Sequence, residues 1–170
     1  MSFRVADDCV NDQDCVPGHY SATAGATGCL PCSKGEAQNL AGKSTCVGCL
    51  AGQFGSVTGL SQCSLCSVGT ASNTTSRVSA CPQCGAGQYQ DLEGQSACKL
   101  CPAGTENSGA GVTSCSPCQP GHFSKQNGTV QCSLCSIGSA QLVSGQTRCL
   151  NCTQGFFQDN QGQKVRDRIL

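Results

Sequence analysis

Cysteine is the residue type in this chain whose number and spacing could do chemistry. Eight Cys-x-x-Cys pairs begin at Cys29, Cys46, Cys63, Cys81, Cys98, Cys115, Cys132 and Cys149, in steps of 17 residues except for one step of 18. Such pairs have three chemical meanings: a tetrathiolate zinc site, a redox dithiol, or a disulfide framework. As zinc ligands, Cys29, Cys32, Cys46 and Cys49 would close one tetrahedral site, and the 13 residues between the pairs come near the usual separation. Zinc-ribbon chains usually carry basic residues, however, and this grouping orphans the end cysteines. A redox pair needs a helix N-terminus in a βαβ setting, and eight copies have no use in one active site. Structural disulfides are the leading reading, with an intracellular multi-zinc module as the alternative.

Composition demands such a brace. Leu, Ile, Val and Phe together number 29 of 170 residues, and there is no Trp. Ordering a chain costs roughly 1–2 kcal/mol per residue in backbone entropy. Apolar burial, at about 25 cal/mol per Å², cannot offset that from so small a supply. The 18 cysteines must make up the difference. Ten basic and ten acidic residues cancel, so no basic stripe exists for nucleic acid or an anionic membrane. No apolar run is long enough to span a bilayer. The start, Met1 to Asp8, has no apolar stretch of the signal-peptide kind.

Other reactive side chains are sparse. His19 and His122 occupy the same slot of the repeat, filled elsewhere by Gln53, Thr70, Gln88, Thr105 or Ser139, and read as solvent-facing. No nucleophile, base and orienting group come together, so no catalytic residue, cofactor or metal site is assigned and no enzyme is expected. The acidic run Asp7, Asp8, Asp12 and Asp14 reads as a solvated terminus rather than a calcium site.

The elements that hold the cysteines follow from the rest of the repeat. A glycine falls three residues after the second cysteine of each unit, from Gly18 to Gly155, and another ten residues after it, from Gly25 to Gly162. Ser76 replaces the second glycine in the unit that carries the extra residue. Recurrence of this kind marks turns that need positive φ or close chain approach. Units alternate between an aromatic (Tyr20, Phe54, Tyr89, Phe123, Phe157) and Ala37, Ala71, Glu106 or Ala140 at one position, so the full repeat is a doublet of 34 or 35 residues. Each aromatic loop reads as a strand, a turn and a return strand ending on cysteine, with its ring packed on the staple or the next loop. No apolar period of 3.6 appears, and a β-solenoid lacks the apolar positions to fill its interior.

The predicted fold is therefore small and disulfide-rich, mostly irregular with short β-hairpins, forming an elongated tandem-repeat rod with little or no helix. Residues 1–14 form an irregular N-terminal segment, 15–163 the tandem array and 164–170 a non-repeat tail. The simplest pairing closes each gap: Cys15–Cys29, Cys32–Cys46, Cys49–Cys63, Cys66–Cys81, Cys84–Cys98, Cys101–Cys115, Cys118–Cys132 and Cys135–Cys149. Crossed pairing, such as Cys29–Cys46 with Cys32–Cys49, stays open on spacing alone. Cys9 and Cys152 are left unpaired, because the step reaches Asp12 at one end and Arg166 at the other. That break reads as a fragment of a longer array, with a free thiol for intermolecular linkage as the alternative. Asn73-Thr-Thr75, Asn127-Gly-Thr129 and Asn151-Cys-Thr153 match the N-glycosylation pattern. Asn73 and Asn127 fall at loop tips and are the candidate sites, whereas Asn151 sits between cysteines.

Segments such as Cys98-Lys-Leu-Cys-Pro-Ala-Gly104 and Cys115-Ser-Pro-Cys-Gln-Pro-Gly-His-Phe123 resemble the cysteine-rich repeats of ephrin-receptor ectodomains, which are akin to tumour necrosis factor receptor modules. The resemblance runs from about Cys15 to Gly162. It departs from the six-cysteine receptor module in having four cysteines per doublet. It implies a non-enzymatic extracellular or cell-surface segment, a spacer or protein-binding ectodomain. Its partner would be an unknown protein ligand or the neighbouring domains of a longer chain.

Overall fold

The computed structural model describes residues 15–23, 28–154, 156–164 and 167–168. Cys9, the acidic run Asp7 to Asp14, Gly25, Gly155 and Arg166 lie outside the described residues. Among those described there is no helix, and every strand is two residues long. β1 (His19–Tyr20) pairs with β2 (Leu30–Pro31), β3 (Glu36–Ala37) with β4 (Val47–Gly48), β5 (Gln53–Phe54) with β6 (Ser64–Leu65), and β7 (Gln88–Tyr89) with β8 (Lys99–Leu100). In the same way β9 (Thr105–Glu106) pairs with β10 (Ser116–Pro117), β11 (His122–Phe123) with β12 (Ser133–Leu134), β13 (Ser139–Ala140) with β14 (Leu150–Asn151), and β15 (Phe156–Phe157) with β16 (Asp167–Arg168). All are antiparallel, and each hairpin is a separate two-stranded sheet.

Two details differ from the sequence expectation. Hairpins form in the small-residue loops as well as the aromatic ones, because the turn and the staple are common to both. The return strand is also not a run that ends on cysteine. It is the pair of residues inside each Cys-x-x-Cys, as in Leu30–Pro31 between Cys29 and Cys32. In extended chain, side chains three residues apart face opposite ways. The first cysteine therefore closes the loop behind it while the second opens the next. Where the unit has its extra residue, the hairpin shrinks to a single bridge between Thr70 and Gln83.

The described residues belong to two compact units, one running up to 66 with 72–81 and 94–96, the other taking 67–71, 82–93 and 97 onward. The first contains the disulfides Cys15–Cys29, Cys32–Cys46, Cys49–Cys63 and Cys66–Cys81. The second contains Cys84–Cys98, Cys101–Cys115, Cys118–Cys132 and Cys135–Cys149. Cα separations are 5.5–5.7 Å, within the range a disulfide spans. The thin core is largely sulfur. Each disulfide has one cysteine at 0–1% exposure, namely Cys15, Cys32, Cys49, Cys66, Cys84, Cys101, Cys118 and Cys135. Of their partners only Cys132 is fully buried, and the other seven are half-exposed.

Backbone hydrogen bonds carry each repeat to the next, and they repeat with the same period. In the first unit Gly35 N–H donates to Gly55 O (2.8 Å), Gln38 N–H to Leu60 O (3.1 Å), and Gly59 N–H back to Cys32 O (2.8 Å). In the second, Gly104 N–H donates to Ser124 O (2.9 Å), Asn107 N–H to Thr129 O (3.2 Å), and Gly128 N–H to Cys101 O (2.7 Å). A net contribution of about 1 kcal/mol per bond makes this ladder comparable in weight to the disulfides.

The first glycine of each unit also touches the second-glycine turn two repeats on. A Cβ on Gly52 (φ +81°) would sit 2.0 Å from Gly94 O, and one on Gly121 (φ +85°) 2.0 Å from Gly162 O. These positions demand glycine twice, for the left-handed backbone and for the contact.

Candidate functional site

The reactive side chains are concentrated in the ladder, and there they are covalently committed. The proposed zinc tetrad is divided among three disulfides, since Cys29 bonds Cys15, Cys32 bonds Cys46 and Cys49 bonds Cys63. A thiol in a disulfide cannot serve as a thiolate ligand. Among the described residues no cluster of three His, Cys, Asp or Glu side chains is placed to hold a metal ion.

Cys152 is the free cysteine of the described residues and is half-buried. Its amide still joins the ladder, donating to Gly138 O at 2.8 Å. The hairpin that follows is formed too, with Phe156 opposite Arg168 and Phe157 opposite Asp167. That 12-residue offset is also found in β13 and β14, where Ser139 faces Asn151. Asp167–Arg168 thus occupies a return strand although its sequence has left the repeat pattern.

A buried polar column, missed in the sequence, runs beside the sulfurs. The residue six places after each second cysteine is Ser21, Gln38, Gly55, Ser72, Gln90, Asn107, Ser124, Gln141 or Gln158, and every one is buried. The glutamines bind their own loops. Gln90, only 1% exposed, donates from Nε2 to Ala97 O at 2.7 Å and accepts from Leu92 N–H at 3.2 Å. Gln38 does the same with Thr45 O (2.8 Å) and Leu40 N–H (3.1 Å), and Gln141 with Arg148 O (2.8 Å) and Val143 N–H (3.2 Å). Asn107 uses its shorter arm to reach Gln88 O (2.8 Å) and Gly109. Each side chain satisfies loop groups that the two-residue strands leave unpaired. The recurrence of a small or amide side chain at one repeat position was the available signal.

The histidine slot is less open than the sequence implies. His19 and His122 are half-buried and Ser139 is 6% exposed, because the slot lies in the first strand of each hairpin. Nδ1 of His19 is buried without a partner, whereas Nδ1 of His122 lies 3.4 Å from Pro120 O. The aromatic rings are half-exposed, except for the more open Phe157. Two carry lysines: Lys99 Nζ lies 5.8 Å from the Tyr89 ring centre, and Lys125 Nζ 5.7 Å from that of Phe123. Lys99 also pairs with Asp91 at 2.6 Å. Its hydrogen bond holds the Asp91 carboxyl below the usual carboxylate range and raises the Lys99 ammonium in return.

Phe123, Ser124, Lys125, Gln126, Thr129 and Ser133 line a surface groove of about 300 Å³. A second groove of about 290 Å³ passes Ala37, Val47, Gly48, Leu50 and Gln53. Asn73 and Asn127 are exposed outside the strands, and Asn151 is exposed within β14. No helix of the described residues is long and apolar enough to cross a membrane.

Residues 69–114 match a protein-family model described as tyrosine-protein kinase ephrin type A/B receptor-like. No curated protein matches the chain significantly. The matched segment covers three of the glycine-and-cysteine steps seen throughout the described chain, from Gly69 through the Cys84–Cys98 and Cys101–Cys115 loops. The chain carries ephrin receptor-like cysteine-rich repeats, held by a ladder of eight sequential disulfides.

Proposed function

We propose that this chain is a non-enzymatic extracellular or cell-surface segment, a spacer that sets the position of neighbouring domains and offers a side face to protein partners. The observation that carries this reading is the commitment of the cysteines. Sixteen of them are joined in disulfides, a framework that persists in oxidising compartments and is rare in the cytosol. The hairpins serve only to hold one another, through disulfide, amide column and backbone ladder. Repeats that bond to their neighbours in this way suit a mechanical and presenting role. The exposed Leu30, Leu50, Leu65, Leu100, Ile137 and Leu150 are apolar material for a protein contact.

Intact mass with thiol alkylation, before and after reduction, tests the reading. We expect sixteen cysteines to take up reagent only after reduction, with no bound metal, in keeping with the eight disulfides. Thiols that alkylate without reduction, together with stoichiometric zinc, would overturn it in favour of the intracellular multi-zinc module.

A further inference from the structure

We propose that Asn73 and Asn127 carry N-linked oligosaccharides and that Asn151 does not. The inference rests on the extracellular reading and adds to it a covalent modification with defined sites. All three asparagines stand in the acceptor pattern, so the structure must separate them.

Asn73, Thr74 and Thr75 are all exposed, lie outside any strand, and belong to the loop that carries the extra residue. The local turn is held by Ser72, whose Oγ accepts from Thr74 N–H at 3.2 Å. The Asn73 side chain makes no hydrogen bond among the described residues, so its amide projects free. Asn127 is also exposed at a turn. Its Oδ1 accepts from Ala103 N–H at 2.9 Å, which leaves Nδ2 outward. A glycosylated asparagine keeps its carbonyl oxygen, so this bond survives conjugation.

Asn151 differs in both respects. Its backbone is held in β14 opposite Ser139. It also fills the second slot of its Cys-x-x-Cys, the slot from which Leu65, Leu100 and Leu134 pack against the glycine turns of Gly94, Gly128 and Gly162. A glycan there would stand in the packing seam of the repeat, beside the anchored Cys149.

The transfer needs a lipid-diphosphate-linked oligosaccharide as donor. Nδ2 of the asparagine bonds to the anomeric carbon, and the bond from that carbon to the diphosphate oxygen breaks. The lipid diphosphate departs with its electron pair, and one Nδ2 proton passes to a base.

The full chain, fused behind a secretion leader in a eukaryotic cell, gives the test. Intact mass of the secreted protein should show two glycans. Asn73→Gln and Thr75→Ala should each remove one, Asn127→Gln the other, and Asn151→Gln none. Enzymatic release in heavy-oxygen water should convert positions 73 and 127 to labelled aspartate. Secreted, fully disulfide-bonded protein with position 73 unmodified would overturn the inference and leave the extracellular reading standing. Retention in the cell with alkylatable thiols would overturn both.

Discussion

Gly48 and Ser76 exchange roles. Elsewhere a side chain in the second slot of the Cys-x-x-Cys leans over a glycine turn two repeats on. A Cβ on Gly94 would sit 3.1 Å from Leu65 Cδ2, and one on Gly128 3.1 Å from Leu100 Cδ2. At this one crossing the turn carries a side chain, Ser76 with φ +49°, and the facing slot is empty. A Cβ on Gly48 would lie 2.3 Å from Ser76 Oγ, so the missing glycine on one side is compensated by a glycine on the other. The two should be strongly coupled.

Replacing Gly48 by Leu should therefore destabilise the chain by about 1–3 kcal/mol through overpacking. Adding Ser76→Gly recreates the Leu65–Gly94 arrangement and relieves a left-handed serine that costs roughly 1–2 kcal/mol. The double variant should return close to the parent, with a coupling energy above about 1 kcal/mol in a denaturant double-mutant cycle. Simple additivity would refute the exchange.

Gln90→Ala should cost about 2–4 kcal/mol, from an emptied buried site and loop groups left without partners. The Leu92 amide should then lose protection from hydrogen exchange before the rest of its hairpin. Gln126→Ala, at an exposed position, serves as the control and should stay within about 0.5 kcal/mol of the parent.

A ninth disulfide should be obtainable by one substitution. Position 166 has the sequence place of a first cysteine, and Asp167–Arg168 already pairs with β15 in the repeat's register. Arg166→Cys should protect Cys152 from alkylation and add about 3 kcal/mol, the chain-entropy expectation for a loop of this length. A still-reactive Cys152 in that variant would show that the last hairpin does not close as its predecessors do.

The Asp91–Lys99 pair gives a pH dependence of known sign. A lowered Asp91 pKa contributes stability above its unfolded value, lost as pH falls through the folded one. A raised Lys99 pKa contributes stability below its unfolded value, lost as pH rises through the folded one. Between those limits stability should be flat. NMR titration should place the Asp91 midpoint below that of the same residue in Lys99→Gln, with the gap shrinking in high salt because the pair is exposed.

Much of this was legible in the residues. The cysteine step and the paucity of apolar side chains led to a stapled, helix-free repeat. The glycines marked the turns, since Gly52 and Gly121 have no substitute in a left-handed backbone pressed against a carbonyl. Other features needed coordinates. Polarity suggested exposure for Gln38, Gln90 and Gln141, yet hairpins this short leave backbone groups that only a buried amide can reach. The half-buried setting of His19 follows from its place in a strand rather than from its residue type. The exchange between Gly48 and Ser76 links residues 28 positions apart and is invisible without their contact.

The central claim is that every disulfide closes its own loop, and one peptide bond tests it. In the sequential ladder no disulfide spans a Cys-x-x-Cys interior, and Lys99 is the residue inside such a pair, between Cys98 and Cys101, after which a lysine-specific protease cuts. Cleavage of the denatured, non-reduced chain should separate the peptides on either side of Lys99 into two sets, with Cys84–Cys98 in one and Cys101–Cys115 in the other. Fragments from both sides held together through Cys98–Cys115 and released only by reduction would contradict the ladder.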